Sequence, residues 1–183
     1  MIKNIKTMNK ILLHICCGIC SSFAIEQLKE DSFEVIGLFY NPNIAPEEEY
    51  RQRLKVAKDV ADIFKIKLIE APYTVENWFA QTKGKEYELE GGKRCEVCYR
   101  IRMEYTSRKA GELGIEFFTT TLTISPHKDT KLINRIGKSI NAAGFKEYDF
   151  KKEEGFKKAI EFAKGHQLYR QNYCGCVYSQ KKA

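Results

Sequence analysis

The chain has 183 residues, 43% hydrophobic and 30% charged, with a formal net charge of +7. That size and balance suit one soluble globular domain with a substantial core, and they exclude a disordered or low-complexity chain. No window approaches the ~18 consecutive apolar residues of a membrane span. The basic start and its brief apolar patch are too short for a signal-peptide core, so the expectation is a cytoplasmic protein without a membrane partner.

In chain order, ILLHI (11–15) is a short apolar run ending in a turn and reads as a buried strand. Ser21 or Ser22 can cap the next helix, whose apolar face includes Phe23, Ile25 and Leu28. FEVIGLFY (33–40), β-branched and aromatic, reads as a second strand. Pro46 followed by Glu47, Glu48 and Glu49 marks a helix start, with Tyr50, Leu54, Ala57, Ala61 and Phe64 recurring at helical spacing. IKLIEAP (66–72) reads as a third strand, stopped by Pro72. Residues 73–98 look irregular, with loops at Gly84, Gly91 and Gly92, and a helix is expected from about 96 to 111. IEFFTTTLTIS (115–125) reads as a fourth strand. In SPHKD, Ser125 can cap and Pro126 open a helix with Leu132, Ile133, Ile136 and Ile140 as its buried stripe, ended by Gly144. A last helix is expected over about 153–165, before a tail with two cysteines.

Strands alternating with helices predict a three-layer α/β fold with a mostly parallel, Rossmann-like sheet. The expectation is a single domain over 1–183, its cysteine-bearing tail (about 167–183) folding back to the active site. Such sheets bind ligands at the carboxyl ends of their strands. HICCGIC (14–20) and TTLTIS (120–125) are therefore expected to flank one site.

The seven cysteines fall at 16/17/20, 95/98 and 174/176. In a reducing compartment such grouping points to metal binding or redox chemistry rather than stapling disulfides. Cys95 and Cys98 form a C-x-x-C, a metal half-site or redox dithiol. Zinc and iron–sulfur centres both need two further ligands from the first group. Cys16 and Cys17, adjacent in a strand, would point to opposite faces unless the backbone turns, which Gly18 permits. A cluster with separate iron attachment points accommodates adjacent ligands better than a single tetrahedral zinc, which favours iron–sulfur. Cys174-Gly175-Cys176 reads either as a pair closing a small, easily reduced disulfide, a two-electron store, or as two further metal ligands. His14 is either a buried structural histidine or a proton source beside the cluster. His127 is weaker evidence and nothing singles out His166. Residues 151–183 hold eight Lys and Arg against three Glu, interleaved with aromatics such as Phe150, Phe156, Phe162, Tyr169 and Tyr173. That is either a single-stranded RNA surface or a solvated helix over an aromatic core stripe.

H-x-C-C-x-x-C-S (14–21), C-x-x-C-Y-x-x-R (95–102), T-T-L-T-I-S-P-H-K (120–128) and C-x-C-x-Y-S (174–179), in that order, resemble the QueH family of cobalamin-independent epoxyqueuosine reductases. The resemblance implies an oxidoreductase that reduces epoxyqueuosine to queuosine at the tRNA wobble position, the last step of queuosine biosynthesis. It implies a fold similar to that of adenine-nucleotide α-hydrolases. It also implies a 4Fe-4S cluster held by Cys16, Cys17, Cys95 and Cys98, and a redox-active pair at Cys174 and Cys176. Cys20 is the open residue, a candidate ligand of an additional mononuclear iron. A thiol, His14 or Tyr99 are candidate proton donors, and Arg100, Arg102, Arg108 and Lys109 candidate phosphate contacts. The partners expected are the anticodon loop carrying epoxyqueuosine and an unidentified electron donor.

Two other readings compete. An ATP-dependent tRNA sulfur transferase on this kind of fold would carry a Ser/Gly-rich pyrophosphate loop after the first strand, where this chain has HICCGIC. A zinc-stabilised RNA-binding module accounts for Cys95, Cys98 and the charge, but not for the adjacent cysteines.

Overall fold

The computed structural model describes residues 8–179, so the first residues of the basic start and the last four of the tail lie outside them. Strands β1 (Asn9–His14), β2 (Phe33–Phe39), β3 (Lys67–Glu70) and β4 (Phe117–Thr120) form one sheet in the order β3-β2-β1-β4. Every pairing is parallel. Helices α1 (Gly18–Glu30), α2 (Glu47–Phe64) and α6 (Gly155–Gly165) cover one face. Helices α3 (Val75–Thr82), α4 (Lys93–Glu112) and α5 (Thr130–Ile140) cover the other. None of the described helices is long and apolar enough to cross a membrane.

The two-residue period of β1 builds both cores. Ile11 and Leu13 face the α1/α2 side, whereas Leu12 faces the α4/α5 side, all three fully buried. A strand buried on both faces reads as a continuous apolar run, which is why ILLHI is so plain in the sequence. The chain grows from β1 to β3 in one direction and returns to place β4 on the other side of β1. The crevice of the fold therefore opens at the carboxyl ends of β1 and β4.

Several boundaries differ from the sequence expectation. Helix α1 begins at Gly18 rather than after a serine cap, and Ser21 and Ser22 instead donate to the Gly18 and Ile19 carbonyls within the helix. A Cβ at position 18 would lie 2.6 Å from the Ala57 nitrogen, so the absent side chain lets α1 start against the α2 backbone. Residues 73–98 include α3, and α4 begins at Lys93, placing Cys95 and Cys98 in its first two turns. The fourth strand stops at Thr120 and tightens into a 3-10 turn over Thr121–Ile124. Asp129, not Ser125, caps α5, its carboxylate accepting from the Lys131 and Leu132 amides. Ser125 to Lys128 form a turn ahead of that cap.

Leu13→Ala should cost about 2–5 kcal/mol through lost burial and the cavity left behind. Lys10→Ala, which breaks only an exposed 3.7 Å pair with Glu34, should cost less than about 1 kcal/mol. Denaturant unfolding of the two variants beside the parent checks the contrast.

Candidate active site

The ends of β1 and β4 are tied together by side chains. His14 is fully buried, with Nδ1 2.8 Å from Thr120 Oγ1 and Nε2 3.1 Å from the Tyr40 carbonyl. Thr120 Oγ1 also accepts from the Leu122 amide. This set is complete for a neutral imidazole: Nε2–H donates to Tyr40, and the Thr120 hydroxyl donates to Nδ1. Burial foremost, then Arg102, holds the imidazole pKa down to about 3. One residue further, the Cys16 amide donates to Thr121 Oγ1 at 3.1 Å, and that hydroxyl donates to Cys16 Sγ at 3.2 Å.

A cavity of about 440 Å³ opens beside this junction, lined by Cys16, Cys17, Cys20, Cys174, Arg102 and Lys128 among others. That volume suits a nucleoside-sized ligand. Cys17 sits at the α1 N-terminus, where an S–H from Cys20 and then the Cys20 and Ile19 amides outweigh burial and lower its thiol to about 7. Donors at a helix start favour a thiolate. Cys20, the donor, is pushed well up, first by that bond and then by burial. Burial and the neighbouring Cys17 raise Cys16. Lys128 Nζ lies 3.8 Å from Cys174 Sγ. Burial opposes its charge, but negative charge on Cys174, Tyr99 and Cys16 holds the ammonium well above its usual range.

Cys95, Cys98 and Cys176 share the core on the α4 side and do not line the cavity. Burial raises Cys95 and takes Cys98 to about 11. Cys16 packs against both cores and so stands between the two sets of thiols. All seven cysteines are free thiols. Among the described residues, no three His, Cys, Asp or Glu side chains form a finished metal cage. The donor set is nevertheless compatible with an iron–sulfur group. Besides the thiols, Arg102 Nη2 is a buried donor without a partner, and Arg102 lies beside Cys98, towards which Trp78 also offers its indole N–H. A sulfur-rich anion there would accept from both.

Arg102 is not a surface phosphate contact. It is 2% exposed, donates from Nε to the Cys98 carbonyl and lines the thiol cavity. Its sequence signal was the four-residue step from Cys98, which puts both on one helix face. The aromatic residues of the C-terminal third mainly pack. Phe150 is fully buried and stacks on Tyr148, and Phe162 packs on Phe64 and His166. Phe156 is 38% exposed and lines the cavity with His127 and Arg170. The tail is gripped by α2, with Arg53 donating to the Tyr173 and Cys174 carbonyls. Sequence reading missed Arg53 and Lys128 as site residues.

The fold is that of an adenine-nucleotide α-hydrolase-like α/β protein, with the thiol-lined crevice at the switch in strand order. In fold the chain is similar to the U34-tRNA thiolase NcsA from Methanococcus maripaludis, with a TM-score of 0.59 and 17% identity over 96% of this chain and 63% of that one. The family model described as epoxyqueuosine reductase QueH matches residues 11–182. An epoxyqueuosine reductase QueH from Streptococcus pyogenes is 38% identical over 93% of this chain and 70% of its own. One from Haemophilus influenzae is 39% identical over 93% of this chain and 71% of its own. The chain belongs to the QueH family.

Thr120→Val should destabilise the protein by about 1–3 kcal/mol, since it strands the Leu122 amide and the His14 ring. Thr120→Ser, which keeps the hydroxyl, should stay near the parent. Thermal unfolding of both variants reads the difference.

Proposed function

We propose that the chain reduces the epoxide of epoxyqueuosine in a tRNA anticodon loop to the alkene of queuosine. The observation that carries this reading is the single cavity that collects Cys16, Cys17 and Cys174 around Lys128, in a chain matched almost end to end by the family model. The sulfur-transferase reading has no comparable support, since HICCGIC occupies the place of its pyrophosphate loop.

The reaction breaks both C–O bonds of the epoxide, forms a C=C bond and releases the oxygen as water. It consumes two electrons and two protons. Oxidation of the Cys174 and Cys176 thiols to a disulfide releases two electrons and two protons, so the pair balances one turnover. An external electron donor then restores the thiols. We assign Cys16, Cys17, Cys95 and Cys98 as ligands of a 4Fe-4S cluster, which when bound supplies one-electron redox chemistry beside the cavity. The position of Cys16 between the two cores and the orphaned Nη2 donor of Arg102 beside Cys98 support this assignment. Cys20 is assigned to an additional mononuclear iron, supported by its place on the cavity wall next to Cys17.

Lys128 places a positive charge at the cavity wall, 3.8 Å from Cys174 Sγ, where it stabilises negative charge on the departing oxygen. His14 spends both ring nitrogens on Thr120 and Tyr40 and does not line the cavity, so we assign it to holding the strand ends rather than to proton delivery. The single α/β domain uses its tail, from about residue 167, as the cover of the site. Tyr173 and Cys174 on the cavity wall support that role. A base splayed from an anticodon loop brings phosphates with it, and the exposed Arg170 on the cavity lining offers them a cationic contact.

Anaerobically purified protein should show a broad absorption near ~400 nm that bleaches on reduction. It should convert epoxyqueuosine-containing tRNA with a chemical reductant, as followed by nucleoside mass. A colourless protein holding one zinc would remove the cluster assignment. Cys176→Ser should keep the colour and lose turnover, and normal turnover would remove the redox pair. Cys20→Ser should retain the colour while bound iron falls by about one per chain, since a mononuclear site holds one metal.

A further inference from the structure

The tail segment around Cys174 and Cys176 lies outside any helix or strand, yet its backbone is held at every step. Four successive carbonyls are engaged. The Tyr173 carbonyl accepts from Arg53 Nη2 at 3.1 Å, and that of Cys174 from Arg53 Nη1 at 3.0 Å. The Gly175 carbonyl accepts from the Ala45 amide at 2.9 Å. The Cys176 carbonyl accepts from the amide and hydroxyl of Ser179 at 2.9 and 2.7 Å. Arg53 is 2% exposed, and its Nε donates to Glu49 Oε1 at 2.6 Å. The other oxygen of Glu49 accepts from the Tyr169 hydroxyl at 2.8 Å. The Arg53 guanidinium lies 4.9 Å from the Tyr173 ring centre, and the Tyr173 hydroxyl donates to the Ala45 carbonyl.

A buried ion pair is not in itself a good stabiliser, because desolvation offsets most of the attraction. An apolar pair on α2 would pack the helix at least as well. What an apolar pair cannot do is present two parallel N–H donors to consecutive carbonyls, which is the geometry of a guanidinium fork. Gly175 fits the same picture. Its φ is +120°, and a Cβ there would stand 2.9 Å from Arg53 Nη1. The backbone between the two cysteines is therefore shaped around the fork.

We propose that the Glu49–Arg53 pair is the positioning device of the redox pair. It fixes the backbone of residues 173–175, and so the approach of the Cys174 and Cys176 thiols to one another and of Cys174 to the cavity. This rests on the reading of Cys174 and Cys176 as redox-active. By ordering the segment before the disulfide forms, the fork raises the effective concentration of one thiol at the other. Lysine keeps the charge and the partnership with Glu49 but not the fork, so Arg53→Lys separates positioning from charge.

The test is a glutathione redox titration of the intact iron-loaded protein, with alkylation and mass mapping of the peptide that holds Cys174 and Cys176. Arg53→Lys should lower the equilibrium constant for disulfide formation about tenfold, about 30 mV for a two-electron couple. Its kcat should fall about tenfold, while KM for the tRNA and the ~400 nm absorption stay at parent values. Tyr173→Phe removes only the hydroxyl that ties the tail to Ala45. It should shift the midpoint in the same direction by a smaller amount, which gives a reading if the buried substitution does not fold. Parent-like midpoints in the folded variants overturn the positioning role. If the parent protein itself forms no Cys174–Cys176 disulfide in this titration, the redox-pair reading falls and the proposal with it.

Discussion

Thr120 and Thr121 join the carboxyl end of β4 to that of β1 at the point where the sheet changes its direction of growth. The first bonds the imidazole of His14 at 2.8 Å, and the second bonds both the amide and the thiol of Cys16. A parallel sheet leaves such an end open, because backbone pairing stops where the strands stop. Here two short side chains continue the ladder by one further step. That step sets where Cys16 stands and where the 3-10 turn begins. The turn in turn aims Ser125 to Lys128 at the cavity. His14 contributes as a neutral ring, buried and bonded at both nitrogens, which ties the strand ends together.

The cavity collects thiols from two parts of the chain, Cys16, Cys17 and Cys20 beside Cys174, with Arg102 and Lys128 on its wall and Arg53 behind the tail. Arg53 comes from α2, Arg102 from α4 and Lys128 from the turn before α5. Arg53 has Glu49 as a counter-ion, while the charges next to Arg102 and Lys128 are those of thiols. Burying cations beside groups that ionise only in part is costly unless negative charge arrives from elsewhere. Arg102 and Lys128 thus favour negative charge where they meet the thiols.

Much of this is readable in the sequence. Strand β1 showed because a doubly buried strand is a continuous apolar run, and the shared end of β1 and β4 followed from sheet topology. Helix α3 was hidden by its length, eight residues flanked by glycines and a proline. The start of α1 was hidden because Ser21 and Ser22 look like caps, while the actual first turn begins on a glycine that helix propensity disfavours. Arg102 was misread because an arginine on a helix is usually at the surface. The step of four from Cys98 was the available clue, and the same step links Glu49 to Arg53. What no local pattern carries is the reach of the tail to α2, since Tyr173 and Cys174 meet Arg53 only through the closed fold.

Gly18 occupies a place where any side chain would strike the backbone of Val56 and Ala57. Those residues follow Arg53 by about one turn, and Gly18 follows Cys17 directly. A substitution there would displace the helix that carries the fork and the helix that presents the thiol in one movement. The position is thus a narrow gate in sequence space: drift at a residue with no side chain would be felt at once in the placement of Cys17 and in tail geometry, and compensating for it would require α2 itself to be redrawn.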